Sequence, residues 1–227
     1  MHITLIAVIV LLLILFAPQW WTRRVLARYS KEQDHFQGTG GELARHLLDR
    51  FAMPEVKVDS TDQGDHYDPL EKVVRLGEDK INAKSLTAIA VAAHEVGHAI
   101  QHHEGYAPLA MRTSLVRWVL WTEKLGSALM LVTPVLAIIS RSPVVGGLVL
   151  LAGVASLGLG VIVHLVTLPV EWDASFRRAL PILEQGYISP AEQKQARRIL
   201  TAAALTYVAG SLAGLLNLWR WLALLRR

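Results

Sequence analysis

Apolar and polar positions fall in long blocks along this chain. Residues 3–17 are apolar apart from Thr4, and Pro18, Trp20, Trp21, Arg23 and Arg24 follow. A helix needs roughly 20 residues to cross the ~30 Å of a bilayer core, and tryptophans suit its interfaces. Residues 1–21 are therefore predicted to form an N-terminal transmembrane anchor. The arginines come after the apolar stretch and no small-residue cleavage site follows it, which argues against a cleaved signal peptide. Residues 22–124 are the polar domain. Within it, Glu42 to Arg50 reads as a short amphipathic helix, broken at Met53-Pro54. Val56 to Val58 alternates like a strand, and Thr61 to Pro69 reads as a turn-rich loop. Lys72 to Leu76 reads as a second strand ended by Gly77, a candidate edge for an extended peptide. From Ser85 through His103, the positions Leu86, Ile89, Ala90, Ala93, Val96 and Ile100 keep helical spacing.

Beyond Glu123 the chain turns apolar again. Residues 125–170 are predicted as a transmembrane hairpin, its two runs separated by Ser140-Arg141-Ser142-Pro143 and its second run rich in glycine, as close helix packing in lipid permits. Residues 171–199 are polar and predicted helical in two pieces, broken near Gly186 and Pro190. Residues 200–227 are predicted as a C-terminal transmembrane or interfacial helix. The expected class is mainly α: integral membrane helices with a small α+β zincin-like catalytic domain built on one motif-bearing helix.

Composition sharpens this picture. Hydrophobic residues make up 52% of the 227 positions and charged residues 19%, with a mean hydropathy of +0.35. Globular chains carry about 25% charged residues, so the balance leans toward a membrane protein. The net charge is +4, but the arginines flank apolar runs and read as a topology signal. No nucleic-acid motif is present. The absence of cysteine excludes disulfides and thiolate metal sites.

The chemistry concentrates in His94-Glu95-Val96-Gly97-His98. Two histidines four residues apart share one helix face and can reach one metal ion, which for imidazole ligands points to zinc. Glu95 sits where it can accept a proton from a zinc-activated water and pass it to the leaving amine. Gly97 is expected to leave room beside the metal. A catalytic zinc takes a third protein ligand, for which Glu171, Asp173, His102, His103 and His66 are candidates. Glu171 is favoured because a carboxylate at the edge of an apolar run is costly without a partner. Asp173 is then expected to hold a histidine N–H. His164, inside an apolar run, reads as a hydrogen-bonded packing residue.

The stretch Val91 to Gln101, taken with Asp65-His66-Tyr67-Asp68-Pro69, resembles the YugP-type neutral zinc metallopeptidases of bacterial membranes over nearly the whole chain. That resemblance implies His94 and His98 as zinc ligands and Glu95 as catalytic base. The site is also similar to that of HtpX-type membrane proteases, whose third ligand is a glutamate in an E-[aromatic]-x-A-D pattern. Glu171 falls on that glutamate, but Ser175 stands where those proteases place the aspartate. His66 and Tyr67 are candidate donors to an oxyanion.

Together these readings predict a membrane-bound zinc endopeptidase of the bacterial inner membrane. With the first anchor N-out, its catalytic domain is cytoplasmic, and the hairpin returns Glu171 to the side of His94. A fourth span would place the C-terminal arginines outside, against the positive-inside tendency. Its expected partners are a peptide or protein substrate and the lipid membrane, with no nucleic acid. An accessory membrane subunit or a homo-oligomer is left open. The competing reading is a non-catalytic regulator with a structural metal, which requires a closed site of four protein ligands.

Overall fold

The computed structural model describes residues 16–140 and 167–205, with isolated positions between 142 and 163. These divide into two units, one holding residues 18–110 and 168–205, the other residues 16–17 and the described part of 111–167. The first unit carries all of the candidate chemistry.

Residues 16–28 are helical. α1 (Gly40–Arg50) follows, opened by a capping box in which Thr39 and Glu42 satisfy each other's backbone N–H groups. Its apolar face, Leu43, Ala44, Leu47 and Leu48, is buried. A three-stranded sheet comes next, with β1 (Lys57–Thr61), β2 (His66–Asp68) and β3 (Val73–Gly77) in the order β1-β3-β2. β1 runs parallel to β3, and β2 antiparallel to it, Tyr67 facing Val74. β3 is thus the middle strand, and Val73, Val74 and Leu76 are buried. This corrects the expectation that Lys72 to Leu76 offers a free edge. It also corrects the expected loop at Thr61 to Pro69, which contains β2. There Asp65 Oδ1 accepts from the Gly77 N–H at 2.8 Å, and Asp68 pairs with Arg75 across the ladder. Tertiary pairing outweighs the weak strand propensity of these polar residues.

A short α2 (Glu78–Ile81) leads to α3 (Leu86–His103), capped by Ser85 Oγ on the Ala88 N–H. Every residue of α3 from Leu86 to Gln101 is buried, so this helix is the axis of the unit. α1, the sheet and the C-terminal helical segments pack around it. After the second unit, helical residues 167–172 run into a π-helical turn, Asp173–Ala179, and then into α5 (Leu180–Leu183). A turn region containing Gly186 at φ +112° follows, and then α6 (Gln193–Ala204).

The π-turn lies against α3 at very short range. A Cβ placed on Gly97 would stand 2.8 Å from the Ala174 carbonyl oxygen. Gly97 therefore makes room for backbone, not for the metal as the sequence suggested.

In the second unit, α4 (Ala107–Ser140) spans 34 residues, and Trp118, Trp121, Leu125, Leu131 and Ile139 are exposed. The expected integral membrane helices are not supported: among the described residues, no helix is long and apolar enough to cross a membrane. In α4 the reason is length. Arg112, Arg117, Glu123 and Lys124 fall within its first 18 residues. The apolar remainder of about 15 residues, at 1.5 Å each, covers about 23 Å of a core near 30 Å. The fold is mainly helical with a small sheet. Residues 1–15 and 206–227, which hold most of the predicted first and last spans, and much of the second hairpin run with His164, lie outside the described residues.

Gly97→Ala is expected to destabilise the protein despite alanine's better helix propensity. Two backbones cannot retreat as a side chain can, so the overpacking cost is about 1–3 kcal/mol. Chemical denaturation should show a lower midpoint; an unchanged or higher midpoint would mean that α3 and the π-turn separate freely.

Candidate metal centre

α3 carries His94 and His98 on one face, and both side chains are buried. Their rings stand 4.8 Å apart, nearly perpendicular. The helical segment after residue 167 presents Glu171 to both, with no solvent exposure. Glu171 Oε2 lies 3.2 Å from His94 Nε2 and 3.2 Å from His98 Nε2. These three residues form a possible metal site, their ligand atoms all within 4.8 Å of one another.

The outer nitrogens decide what the inner ones can do. Ser175 Oγ donates to the Leu200 carbonyl at 3.2 Å. Its one proton is thereby used, so at 3.0 Å it accepts from His94 Nδ1–H. Gln101 Nε2 donates to the Val170 carbonyl at 2.9 Å and to Asp173 Oδ2 at 2.8 Å. Its Oε1 therefore accepts from His98 Nδ1–H at 2.9 Å. Each neutral imidazole then turns a bare Nε2 lone pair toward the Glu171 carboxylate. Three acceptors facing one another in a buried site repel unless a cation stands among them. Protons can play that part: burial pushes the Glu171 carboxyl up, but charge on His98 and hydrogen bonds from both histidines outweigh it and hold it well below the usual carboxylate range. A divalent metal plays the same part with neutral imidazoles. The donor set of two nitrogens and one oxygen fits zinc.

Asp173 lies near the centre but does not touch a histidine. It reaches His98 through Gln101, and Arg178 Nε donates to its Oδ2 at 2.8 Å. Arg178 Nη1 in turn donates to Glu104 at 2.7 Å. Gln101, wholly buried one turn past His98, had no role in the sequence reading. Its signal was available: an amide in the buried stripe of an apolar helix needs partners. Ser175 supplies the histidine contact expected of Asp173.

Glu95 is buried beside His94 on α3. The other candidates sit elsewhere. His66 Nδ1 lies 2.8 Å from the Gly64 carbonyl in its own turn. The Tyr67 hydroxyl lies 2.8 Å from His102 Nδ1, one helical turn past His98. Burial, with Glu55 and Asp68 nearby, pushes that hydroxyl up to about 12, so it stays protonated at neutral pH. His103 is exposed at the end of α3. Neither His66, His102, His103 nor Asp173 joins the group of three among the described residues.

The chain is 37% identical over 216 residues to the "Putative membrane protease YugP" of Bacillus subtilis (strain 168), covering 91% of this chain and 89% of that protein. No solved structure matches it significantly. Residues 4–226 match the family described as "Putative neutral zinc metallopeptidase", and the chain belongs to that family.

Proposed function

We propose that this protein is a zinc-dependent endopeptidase in which His94, His98 and Glu171 hold the metal and Glu95 is the general base. The convergence of two imidazole nitrogens and a buried carboxylate carries this reading. It also favours a catalytic over a structural metal, because three protein ligands leave a position open and no fourth His, Cys, Asp or Glu joins them among the described residues.

When bound, zinc lowers the pKa of water from 15.7 to about 7 and polarises the scissile carbonyl. The protein's own groups do the rest. Glu95 takes the proton from the attacking water and returns it to the departing amine. Ser175 and Gln101 fix the ring orientations and tautomers of the two histidines, and Gln101 also holds the Val170 carbonyl, one residue before Glu171. Asp173 holds Gln101 in place. β2 is an edge strand, and a substrate peptide laid along it passes Tyr67 and His102. Of the two oxyanion-donor candidates on β2, Tyr67, protonated at neutral pH, is the stronger, because His66 Nδ1 is engaged by its own turn. The name of the Bacillus relative and the exposed apolar residues of α4 support work at a bacterial membrane surface. The cytoplasmic side remains part of this proposal.

Three variants test it. Glu171→Ala should lose zinc in metal analysis of the purified protein, and full occupancy would move the third ligand elsewhere. Glu95→Gln should keep zinc but lose roughly 10²–10⁴-fold in peptide hydrolysis; normal cleavage by that variant would remove Glu95 from the mechanism. Ser175→Ala should weaken zinc about 10–100-fold, the usual cost of losing a partner of a ligating histidine, as read by chelator competition. An unchanged affinity would show that the His94 contact does not tune the metal.

A further inference from the structure

A second site lies in the same unit, built from residues that the metal centre does not use. A cavity of about 720 Å³ is lined by Trp21, Arg24, Val25, Ala27, Arg28, Tyr29 and Arg198. Three of its seven lining residues are arginines and none is acidic. Among the described residues, no carboxylate lies within ion-pair distance of Arg24, Arg28 or Arg198. Like charges gathered without a counter-charge attract an anion. Guanidinium groups suit phosphate in particular, because their planar fork matches two of its oxygens.

The sequence explains the gathering. Trp21, Arg24, Val25 and Arg28 follow i, i+3, i+4, i+7 and so share one face of helix 16–28. Thr87, at the start of α3, pins the end of that helix: its Oγ1 donates to the Leu26 carbonyl at 2.8 Å and its N–H to the Tyr29 carbonyl at 3.2 Å. Arg198 comes from α6, where its neighbours Ile199 and Leu200 are fully buried. The two helices are thereby fixed in the core while their arginines remain exposed.

The apolar surroundings narrow the ligand further. Arg24 stacks on Trp20 at 4.8 Å, and Trp20, one turn earlier, is exposed. Val25, Ala27 and Trp21 give the cavity itself an apolar wall. A free phosphate ion makes no use of these groups. A phosphate attached to acyl chains uses both, with its head on the guanidinium groups and its chains along the tryptophans.

We infer that this cavity binds the phosphate of an anionic phospholipid, held by Arg24, Arg28 and Arg198. The site is independent of the peptidase reading, and it is more specific than association with a membrane surface. The test uses the full chain in detergent, titrated with mixed micelles containing either dioleoyl phosphatidylglycerol or dioleoyl phosphatidylcholine, with the thermal midpoint as readout. Phosphatidylglycerol should raise the midpoint and phosphatidylcholine should not. Arg24→Gln, Arg28→Gln and Arg198→Gln should each weaken half-saturation roughly five-fold, and the triple variant should abolish the response. Arg23→Gln, at an exposed position outside the cavity, should leave it unchanged. Equal responses to the two lipids would overturn the site while leaving surface association standing. An equal response to sodium phosphate or to oligouridine RNA would overturn the lipid assignment. Should the triple variant fail to fold, the single variants decide: no weakening in any of them overturns the proposal.

Discussion

The centre depends on how closely two backbones approach. α3 supplies two histidines and the segment after residue 167 supplies the carboxylate, 73 residues beyond His98 along the chain. The two elements that carry the three candidate ligands pack almost backbone to backbone. Gly97 permits this, because any side chain there meets the Ala174 carbonyl. The π-helical turn completes the arrangement. Its Leu180 N–H bonds the Ser175 carbonyl five residues back, which widens the helix where it faces α3, a departure that recurs at functional sites. Glu171 and Ser175 then meet His98 and His94 while Asp173 meets Gln101.

The contacts behind the histidines come from different kinds of residue. His94 leans on a hydroxyl and His98 on an amide that is backed by a carboxylate and an arginine. Gln101 connects the two halves of the site. It touches a ligand on its own helix and, through the Val170 carbonyl, the segment that carries the third. Displacement of that one side chain would loosen a histidine tautomer and the seat of Glu171 together.

Much of this was legible in the sequence. α3 announced itself through apolar positions at helical spacing, and its two histidines through their four-residue interval. Glu171 stood out because a carboxylate beside an apolar run needs a partner. The breaks near Gly186 and Pro190 were visible as turn residues. Other features carry no local signal. β2 is three polar residues that become a strand only because β3 offers them a ladder. A π-turn has no distinctive propensity, so its segment reads as ordinary helix. Gly97 was recognised as small but assigned the wrong neighbour, since spacing along one helix says nothing about which backbone lies across from it. Among the described residues the expected spans are not supported: the apolar run of α4 begins only after Lys124, and about 15 residues fall short of the roughly 20 a span needs.

Ser175 is the most informative departure from the pattern of HtpX-type proteases. An aspartate behind a ligating histidine makes the imidazole a stronger donor and adds negative charge near the metal. A serine hydroxyl orients the ring with no net charge. The carboxylate nearest the other histidine, Asp173, is held by Arg178 and reaches the ring only through a neutral amide. Glu171 is the carboxylate whose oxygen lies 3.2 Å from both histidines. A metal held by this set would have Glu171 as a charged ligand, with a hydroxyl behind one histidine and an amide behind the other. With serine at this position, the His94 ring is oriented without added charge, and the His98 ring is held by Gln101, whose own carboxylate partner Asp173 is already paired with Arg178.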